Sequence, residues 1–208
     1  MTRKSVVTSF ISAAGFAAIL GAASAPATSN ISVDSGTAAF TVNTNVSAIS
    51  VKGKSGALQG KVQVRQTSEG LKLEQVEAVV PVASLNTGMG IRDQHMRKFI
   101  FTAPDGATPD LKFSAPEASC TPSAKENICQ ISGELAIRGV AKPFNIQLKV
   151  RENGTAFRAS ASGTVKLSDY GIEPPSQFGV KTANEVQLQL EFTGKQAPTY
   201  SASAAVVR

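Results

Sequence analysis

The sequence predicts an all-β protein, and three observations support this prediction. Apolar and polar residues alternate with a period of two through most of the chain, whereas helical periodicity is nearly absent. Turn-forming residues are plentiful, with 17 Gly and 10 Pro. The 208 residues, 42% apolar and 17% charged, are enough to bury one core and too few for two domains of typical size. This composition excludes a wholly disordered chain.

The alternation is clearest in the run EVQLQLEF at residues 185–192, and reading the other segments in the same way gives eight strands. The strands are predicted at residues 36–43, 47–66, 71–82, 110–118, 127–138, 143–151, 155–168 and 184–194. The segment 47–66 is long enough to be one strand that bends. Between Leu73 and Val76 the apolar positions change parity, which predicts a single-residue β-bulge.

Eight antiparallel strands without a long helix fit either a closed up-and-down barrel or a two-sheet sandwich. The apolar faces contain many Gly and Ala residues, which suggests interior room for one slender ligand. Glycines that relieve strain at the corners of a barrel are the alternative. In a hollow barrel the predicted ligand-lining residues are Ala78, Val80, Gly133, Leu135, Ala159, Ala161, Gly163, Val165, Leu188 and Leu190.

Residues 84–107 interrupt the strand pattern with a Gly-rich loop, a charge cluster and an aromatic run. A loop of this length is more often functional than a short hairpin connection. We expect a short helix over residues 92–98, which would place Ile91, His95 and Phe99 on one side.

The sequence argues against an enzyme. Its single histidine, His95, has no recognisable nucleophile or orienting carboxylate in a catalytic spacing, and no phosphate-binding loop or metal-ligand pattern is present. No cofactor or metal is therefore expected. His95 either packs at the junction of loop and barrel with a hydrogen bond to a backbone carbonyl, or contacts a ligand.

The charge cluster of the loop also has two interpretations. Arg92 and Asp93 would form a local ion pair beside two solvated cations, or Arg97 or Lys98 would lie at the mouth of a barrel and meet a polar or phosphorylated headgroup.

The first 25 residues read as a secretory signal peptide, with a basic start, an uncharged apolar run and small residues at Ala23–Ala25. Cleavage after Ser24 or Ala27, or a retained membrane anchor, are the alternatives. The protein is thus expected in the periplasm or secreted. The barrel domain is predicted at residues 30–195, followed by a disordered tail at 196–208.

Export gives the two cysteines a role. Cys120 and Cys129 enclose eight residues of turn composition between strand-like segments, which favours a disulfide over two free thiols.

The formal charge of +6 becomes +4 without residues 1–25, a mildly basic surface compatible with transient contact to anionic membranes. Because the Lys and Arg residues are scattered rather than clustered, nucleic-acid binding is excluded.

Four blocks in this chain resemble a known family. They are TGMGIRDQHMR at 87–97, PDLKF at 109–113, GELAIRGVAKP at 133–143 and LSDYGI at 167–172. Their content and order are similar to those of the YceI-like proteins, a bacterial lipid- and polyisoprenoid-binding family. The resemblance implies an extended, lipocalin-like eight-stranded antiparallel barrel whose apolar tunnel holds a long isoprenoid, and a periplasmic or secreted location.

Together, residues and resemblance predict a binding protein for a long-chain amphiphilic lipid, such as an isoprenoid quinone or a polyprenyl lipid, used in transport or storage. Arg92, His95 and Arg97 are added to the predicted ligand contacts at the mouth. The alternative is a filled barrel that serves the cell envelope as a structural or protein-interaction module without lipid. An unrecognised enzyme would need His95 as its base. The oligomeric state stays open, and a homodimer is compatible with the sequence.

Overall fold

The computed structural model describes residues 28–154 and 156–196. The strands are β1 (Thr28–Thr44), β2 (Ser50–Ser55), β3 (Gln59–Thr67), β4 (Gly70–Val80), β5 (Leu111–Pro122), β6 (Asn127–Ile137), β7 (Val140–Asn153), β8 (Ala156–Lys166), β9 (Ser176–Gln177) and β10 (Val180–Gln196). Between β4 and β5 lie a 3₁₀ turn (Val82–Ser84), the helix α1 (Gly90–Met96) and a π-helical turn (Arg97–Phe101), and a second 3₁₀ turn (Leu167–Tyr170) follows β8. The predicted signal segment 1–25, and the predicted tail beyond its first residue, lie outside the described residues.

The strands close into an antiparallel barrel with eight strand positions, so the barrel is confirmed and the sandwich is wrong. One edge of β1 pairs with β10, from Ile31 opposite Gln196 to Thr44 opposite Thr182. Its other edge pairs with β2 and β3, and sequential neighbours from β3 to β8, followed by β10, complete the circuit. The predicted insertion lies between β4 and β5, the third and fourth positions, and contains the short helix.

The strands β2 and β3 are two pieces of the single bent strand predicted at 47–66. Ser32 of β1 pairs with Lys61 of β3, and Ala38 of β1 pairs with Ser55 of β2. Both pieces therefore pair with β1 in the same register. The break follows from local hydrogen bonding. The buried Ser55 hydroxyl accepts a bond from the Ala57 amide at 3.0 Å and bonds the Ser84 hydroxyl at 2.6 Å, which turns the chain out of the ladder.

The predicted bulge is confirmed at Gln75, which has φ 50°. Lys61 pairs with Glu77 but Gln63 pairs with Glu74, so β4 has one residue more than β3 at this point. The extra residue moves the apolar side chains after it onto the interior face, as the parity change required.

One end of the barrel is closed by packed side chains around the predicted disulfide. Cys120 and Cys129 are opposite each other on β5 and β6, with their Cα atoms 4.0 Å apart, and the bond between them is present. Ile31, Val64 and Leu73 are also buried at this end. The interior is therefore filled on the disulfide side.

The second 3₁₀ turn is held against β6 in the half of the barrel away from the disulfide. The Tyr170 hydroxyl donates a hydrogen bond to the Leu135 carbonyl at 3.2 Å, and the ring is 4% exposed. Burial, reinforced by the neighbouring Asp169 carboxylate, raises the pKa of Tyr170 to about 12.

Candidate functional site

An apolar cavity of about 910 Å³ occupies the half of the barrel away from the disulfide. Its walls come from β1, β2, β4–β8 and β10, whose inward side chains alternate with polar residues on the outer surface. The volume lies near the upper end of the range found for small-molecule sites. A cavity of this size and lining has room for an apolar ligand.

Most of the predicted lining residues are where the sequence places them. Those that line the cavity are Ala78, Val80, Leu135, Ala161, Val165, Leu188, Leu190, Arg92 and His95. Those that do not are Gly133, Ala159, Gly163 and Arg97. The site as a ligand-binding site stays a prediction, and the four misplaced residues each have a structural reason.

Gly133 and Gly163 leave space that aromatic rings occupy. A Cβ on Gly133 would collide with the Ser114 carbonyl oxygen and lie 2.9 Å from the Phe113 ring, and a Cβ on Gly163 would lie 2.6 Å from the Phe144 ring. The two rings meet edge to face with centroids 6.1 Å apart. These glycines accommodate the phenylalanines that line the cavity and do not themselves open it.

Ala159 and Arg97 are displaced for different reasons. Ala159 is 5% exposed and lies opposite Val150, at the level where the packed end begins. The Arg97 guanidinium donates to the carbonyls of Ala83 and Leu85 at 3.3 and 3.2 Å. Arg97 therefore ties the helical insertion to the preceding segment.

Thr87 organises the start of the insertion at the mouth of the cavity. Its amide, at 2.8 Å, and its hydroxyl both donate to the Asp93 carboxylate. Arg92 donates from Nε to the Thr87 hydroxyl at 2.9 Å and from Nη2 to the Thr87 carbonyl at 2.6 Å. The expected Arg92–Asp93 ion pair is thus replaced by two sets of bonds to Thr87.

The pKa of Asp93 is held below that of an ordinary aspartate. The Thr87 hydroxyl bond lowers it most, burial opposes this, and the Thr87 amide with the charges of Arg97 and Arg92 lowers it further. Asp93 is 5% exposed, so its carboxylate stabilises the loop and is not accessible to a ligand.

Ile91 and His95 of α1 and Phe99 of the following π-helical turn all line the cavity, so they share one side as expected, although α1 covers Gly90–Met96 instead of residues 92–98. The His95 ring meets Phe99 edge to face with centroids 5.7 Å apart. Within the described residues it makes no hydrogen bond to the protein, so the expected bond to a backbone carbonyl is wrong. The arrangement leaves both ring nitrogens of His95 available at the mouth.

Sequence reasoning missed part of the mouth. Residues 175–178 and Ile49 also line the cavity. The strand β9 has only two residues and gives no alternation, so its hairpin was unpredicted. The signal that remained was Phe178 beside Gly179, an aromatic residue next to a turn former in a polar segment.

Residues 28–154 and 156–196 contain no cluster of three or more His, Cys, Asp or Glu residues arranged for a metal ion. None of the described helices has the length and apolarity needed to cross a membrane.

The part of the chain that forms the barrel and its insertion matches a known family. A family model described as YceI-like domain matches residues 24–194. The chain belongs to the YceI-like family. The resemblance of the four sequence blocks is thereby confirmed.

Curated relatives of this YceI-like chain are proteins described as UPF0312. One from Pseudomonas paraeruginosa is 30% identical over 131 residues, which is 58% of this chain and 62% of the relative. One from Pseudomonas syringae pv. tomato is 28% identical over 129 residues, with the same coverage of 58% and 62%. The chain thus spans less than two thirds of the length of these relatives.

Solved structures share the fold at low identity. A polyisoprenoid binding domain from Saccharophagus degradans, implicated in plant cell wall breakdown, has a TM-score of 0.59 at 15% identity and covers 80% of this chain and 98% of its own. BcnA from Burkholderia cenocepacia has a TM-score of 0.56 at 19% identity, with 76% and 95% covered. The Campylobacter jejuni YCEI protein has the same TM-score of 0.56 at 18% identity, with 71% and 85% covered. At these identities the likeness concerns the fold.

Proposed function

We propose that this YceI-like protein binds a long-chain amphiphilic lipid, in particular a polyisoprenoid of the quinone or polyprenyl type, and acts as its carrier or store rather than as an enzyme. The observation that carries the proposal is the apolar cavity of about 910 Å³ with a mouth at one end of the barrel. Each CH₂ group that enters such a cavity contributes about 0.8 kcal/mol. A chain of several isoprene units therefore binds without directional contacts.

The closed disulfide end and the open mouth set the direction of the ligand. The apolar chain lies inward, because the interior offers almost no polar partner. The headgroup lies at the mouth beside Arg92 and His95, the two ionisable side chains that line the cavity in the described part of the chain. The Arg92 guanidinium has five N–H donors and uses part of them on Thr87, so further donors remain for a phosphate or carbonyl oxygen.

The structural neighbour described as a polyisoprenoid binding domain supports the choice of ligand class. The filled-barrel alternative is disfavoured by the volume of the cavity. We further propose that the protein acts in the periplasm, or secreted, after removal of residues 1–25. N-terminal sequencing of the protein from a periplasmic fraction tests this location, and an intact N-terminus in the cytoplasmic fraction would contradict it.

Mass spectrometry of an organic extract tests the ligand. The full chain, expressed with export in its own host and purified without detergent, should release one lipid class with a mass series spaced by isoprene units. Native mass spectrometry of the same sample should show that lipid bound one to one. A protein that carries no lipid, and does not take up the polyprenol solanesol added from ethanol, would refute the proposed function.

A further inference from the structure

The large apolar residues that the described surface exposes are all at one end of the barrel. Two lie in the turn between β1 and β2, three in the helical insertion and one between β9 and β10. They are Val46, Ile49, Met89, Ile91, Phe99 and Phe178. Scattered exposed apolar residues need no explanation, but their confinement to one end does. We name these six residues the rim.

The rim continues the cavity surface. All of its residues except Val46 also line the cavity. Phe178 is 95% exposed and Ile91 69%, so both border the cavity and face solvent at the same time. Apolar side chains thus extend from the interior of the barrel to its outside.

Hydrogen bonds hold the rim segments together. The Asn45 side chain donates to the Gly179 carbonyl at 3.1 Å and accepts from the Lys181 amide at 2.8 Å, which joins the two turns. The Lys54 and Asn86 backbones bond each other twice at 2.9 Å, which joins β2 to the segment before α1. The rim is therefore a preformed surface.

Phe178 is unfavourable for the folded chain on two counts. It has φ 50° and Gly179 has φ 78°, between the paired residues Gln177 and Val180. Positive φ at both central positions defines a type I′ turn, in which Asn, Asp or Gly is preferred at the first position. An aromatic side chain there meets both backbone strain and full solvent exposure. A strained and fully exposed aromatic side chain favours a role for Phe178 in a contact outside the folded chain.

The charges beside the rim favour an anionic partner. The segments 44–50, 87–101 and 173–182 contain four cationic residues and two carboxylates, and one of the carboxylates, Asp93, is buried and bonded to Thr87. The cations are Arg92, Arg97, Lys98 and Lys181. Lys98 Nζ lies 5.4 Å from the centroid of the exposed Phe99 ring. Cations beside exposed aromatic and aliphatic residues are typical of surfaces that rest in an anionic lipid interface.

We propose that the rim docks on an anionic bilayer, with Phe178, Ile91 and Phe99 inserted at the headgroup level and the cations at the phosphates. The proposal rests on the proposed lipid-binding function and adds the route by which the lipid passes from the bilayer into the cavity. A lipid tail that moves along the rim passes from bilayer to cavity without entering water, which avoids the exposure of its whole apolar surface.

Vesicle binding of the full exported chain tests the docking. We expect co-sedimentation with vesicles of phosphatidylcholine and phosphatidylglycerol, and weaker binding to phosphatidylcholine alone. Phe178→Asn should reduce binding about tenfold, because one exposed phenylalanine no longer inserts. The same variant should raise or keep the melting temperature, because Asn suits the turn. Phe178→Leu, which stays apolar in the same turn, should keep most of the binding.

A charge pair provides the second comparison. Lys181→Gln should reduce binding to the anionic vesicles about fivefold and leave binding to phosphatidylcholine unchanged. Lys125→Gln, in the turn between β5 and β6 at the disulfide end, is the matched control and should bind as the wild type does. The proposal is overturned if Phe178→Asn binds anionic vesicles as tightly as the wild type does, or if the wild type does not bind them. The second result is also the one expected if the rim binds a host protein instead of a bilayer.

Loading from solution separates this proposal from the proposed function. Val46→Ser and Lys181→Gln change residues that do not line the cavity, so uptake of solanesol from ethanol should equal that of the wild type. Extraction of solanesol from vesicles by these variants should be slower. A wild type that loads from ethanol but never binds vesicles refutes the docking alone, whereas failure to load from ethanol refutes the lipid-binding function.

Discussion

Replacement of Ala161 by phenylalanine places an aromatic ring in the wall of the cavity. Ala161 is 8% exposed and lies on β8 between Leu148 of β7 and Leu190 of β10, and all three residues line the cavity. The added ring would extend into the space that the proposed lipid chain occupies. The structure thus predicts loss of lipid affinity with little change in folding.

The magnitude follows from the carbons that the ring displaces. The six ring carbons take the place of about six ligand carbons, and each buried CH₂ contributes about 0.8 kcal/mol, so the loss is about 5 kcal/mol. This corresponds to a Kd raised roughly 10³-fold or more. In a filled barrel the same ring would overpack the core at a cost of about 1–3 kcal/mol, and the melting temperature would fall by about 2–12 °C.

Solanesol affinity and melting temperature should be measured on one sample of Ala161→Phe. The control is Ser162→Phe, which adds the same ring to the next residue of β8, on the outer face. We expect the control to bind lipid as the wild type does. Unchanged lipid binding by Ala161→Phe together with a lowered melting temperature would refute the cavity interpretation.

Three further predictions concern stability. Gly133→Ala should lower the free energy of unfolding in urea by about 3 kcal/mol or more, because the added Cβ meets a backbone oxygen. The control Gly56→Ala, whose Cβ would have nothing within 4 Å, should be near neutral. Similar values for the two variants would contradict the packing. Because folding raises the pKa of Tyr170, the protonated phenol contributes its full stabilisation below pH about 10, and this contribution is lost as the pH rises towards about 12. Tyr170→Phe should therefore flatten the decline of the unfolding free energy at alkaline pH. An unaltered decline would refute the assignment. Exported protein should show no alkylation of Cys120 and Cys129 without reductant, and replacing both by alanine should cost roughly 2–3 kcal/mol for a loop of about ten residues; two alkylated thiols would contradict the bridge.

The strand positions, the bulge and the disulfide could be predicted because each leaves a local trace in the sequence. A period of two marks a strand with one buried face, and the parity change before Val76 requires an extra residue in β4. Cys120 and Cys129 are near in sequence and separated by turn residues, so their pairing needed no knowledge of the rest of the chain.

The limits of the strands were less predictable where the pairing is long-range. The sequence predicts a first strand from residue 36, but β1 begins at Thr28 because a polar segment before residue 36 pairs with both β3 and β10. Its residues carry little alternation, so only their neighbours in the barrel reveal them as a strand.

The sequence by itself determined a series of strands with one buried face each and an insertion that interrupts them, and its resemblance to the YceI-like family predicted that the strands close into a barrel. Only the tertiary structure decided which part of the interior is empty. Small residues suggested room at Gly133 and Gly163, yet Phe113 and Phe144 occupy it, while Ala161 does border the cavity. The physical reason is that inward orientation follows from a residue's own strand, whereas free volume depends on side chains that distant strands bring to the same level.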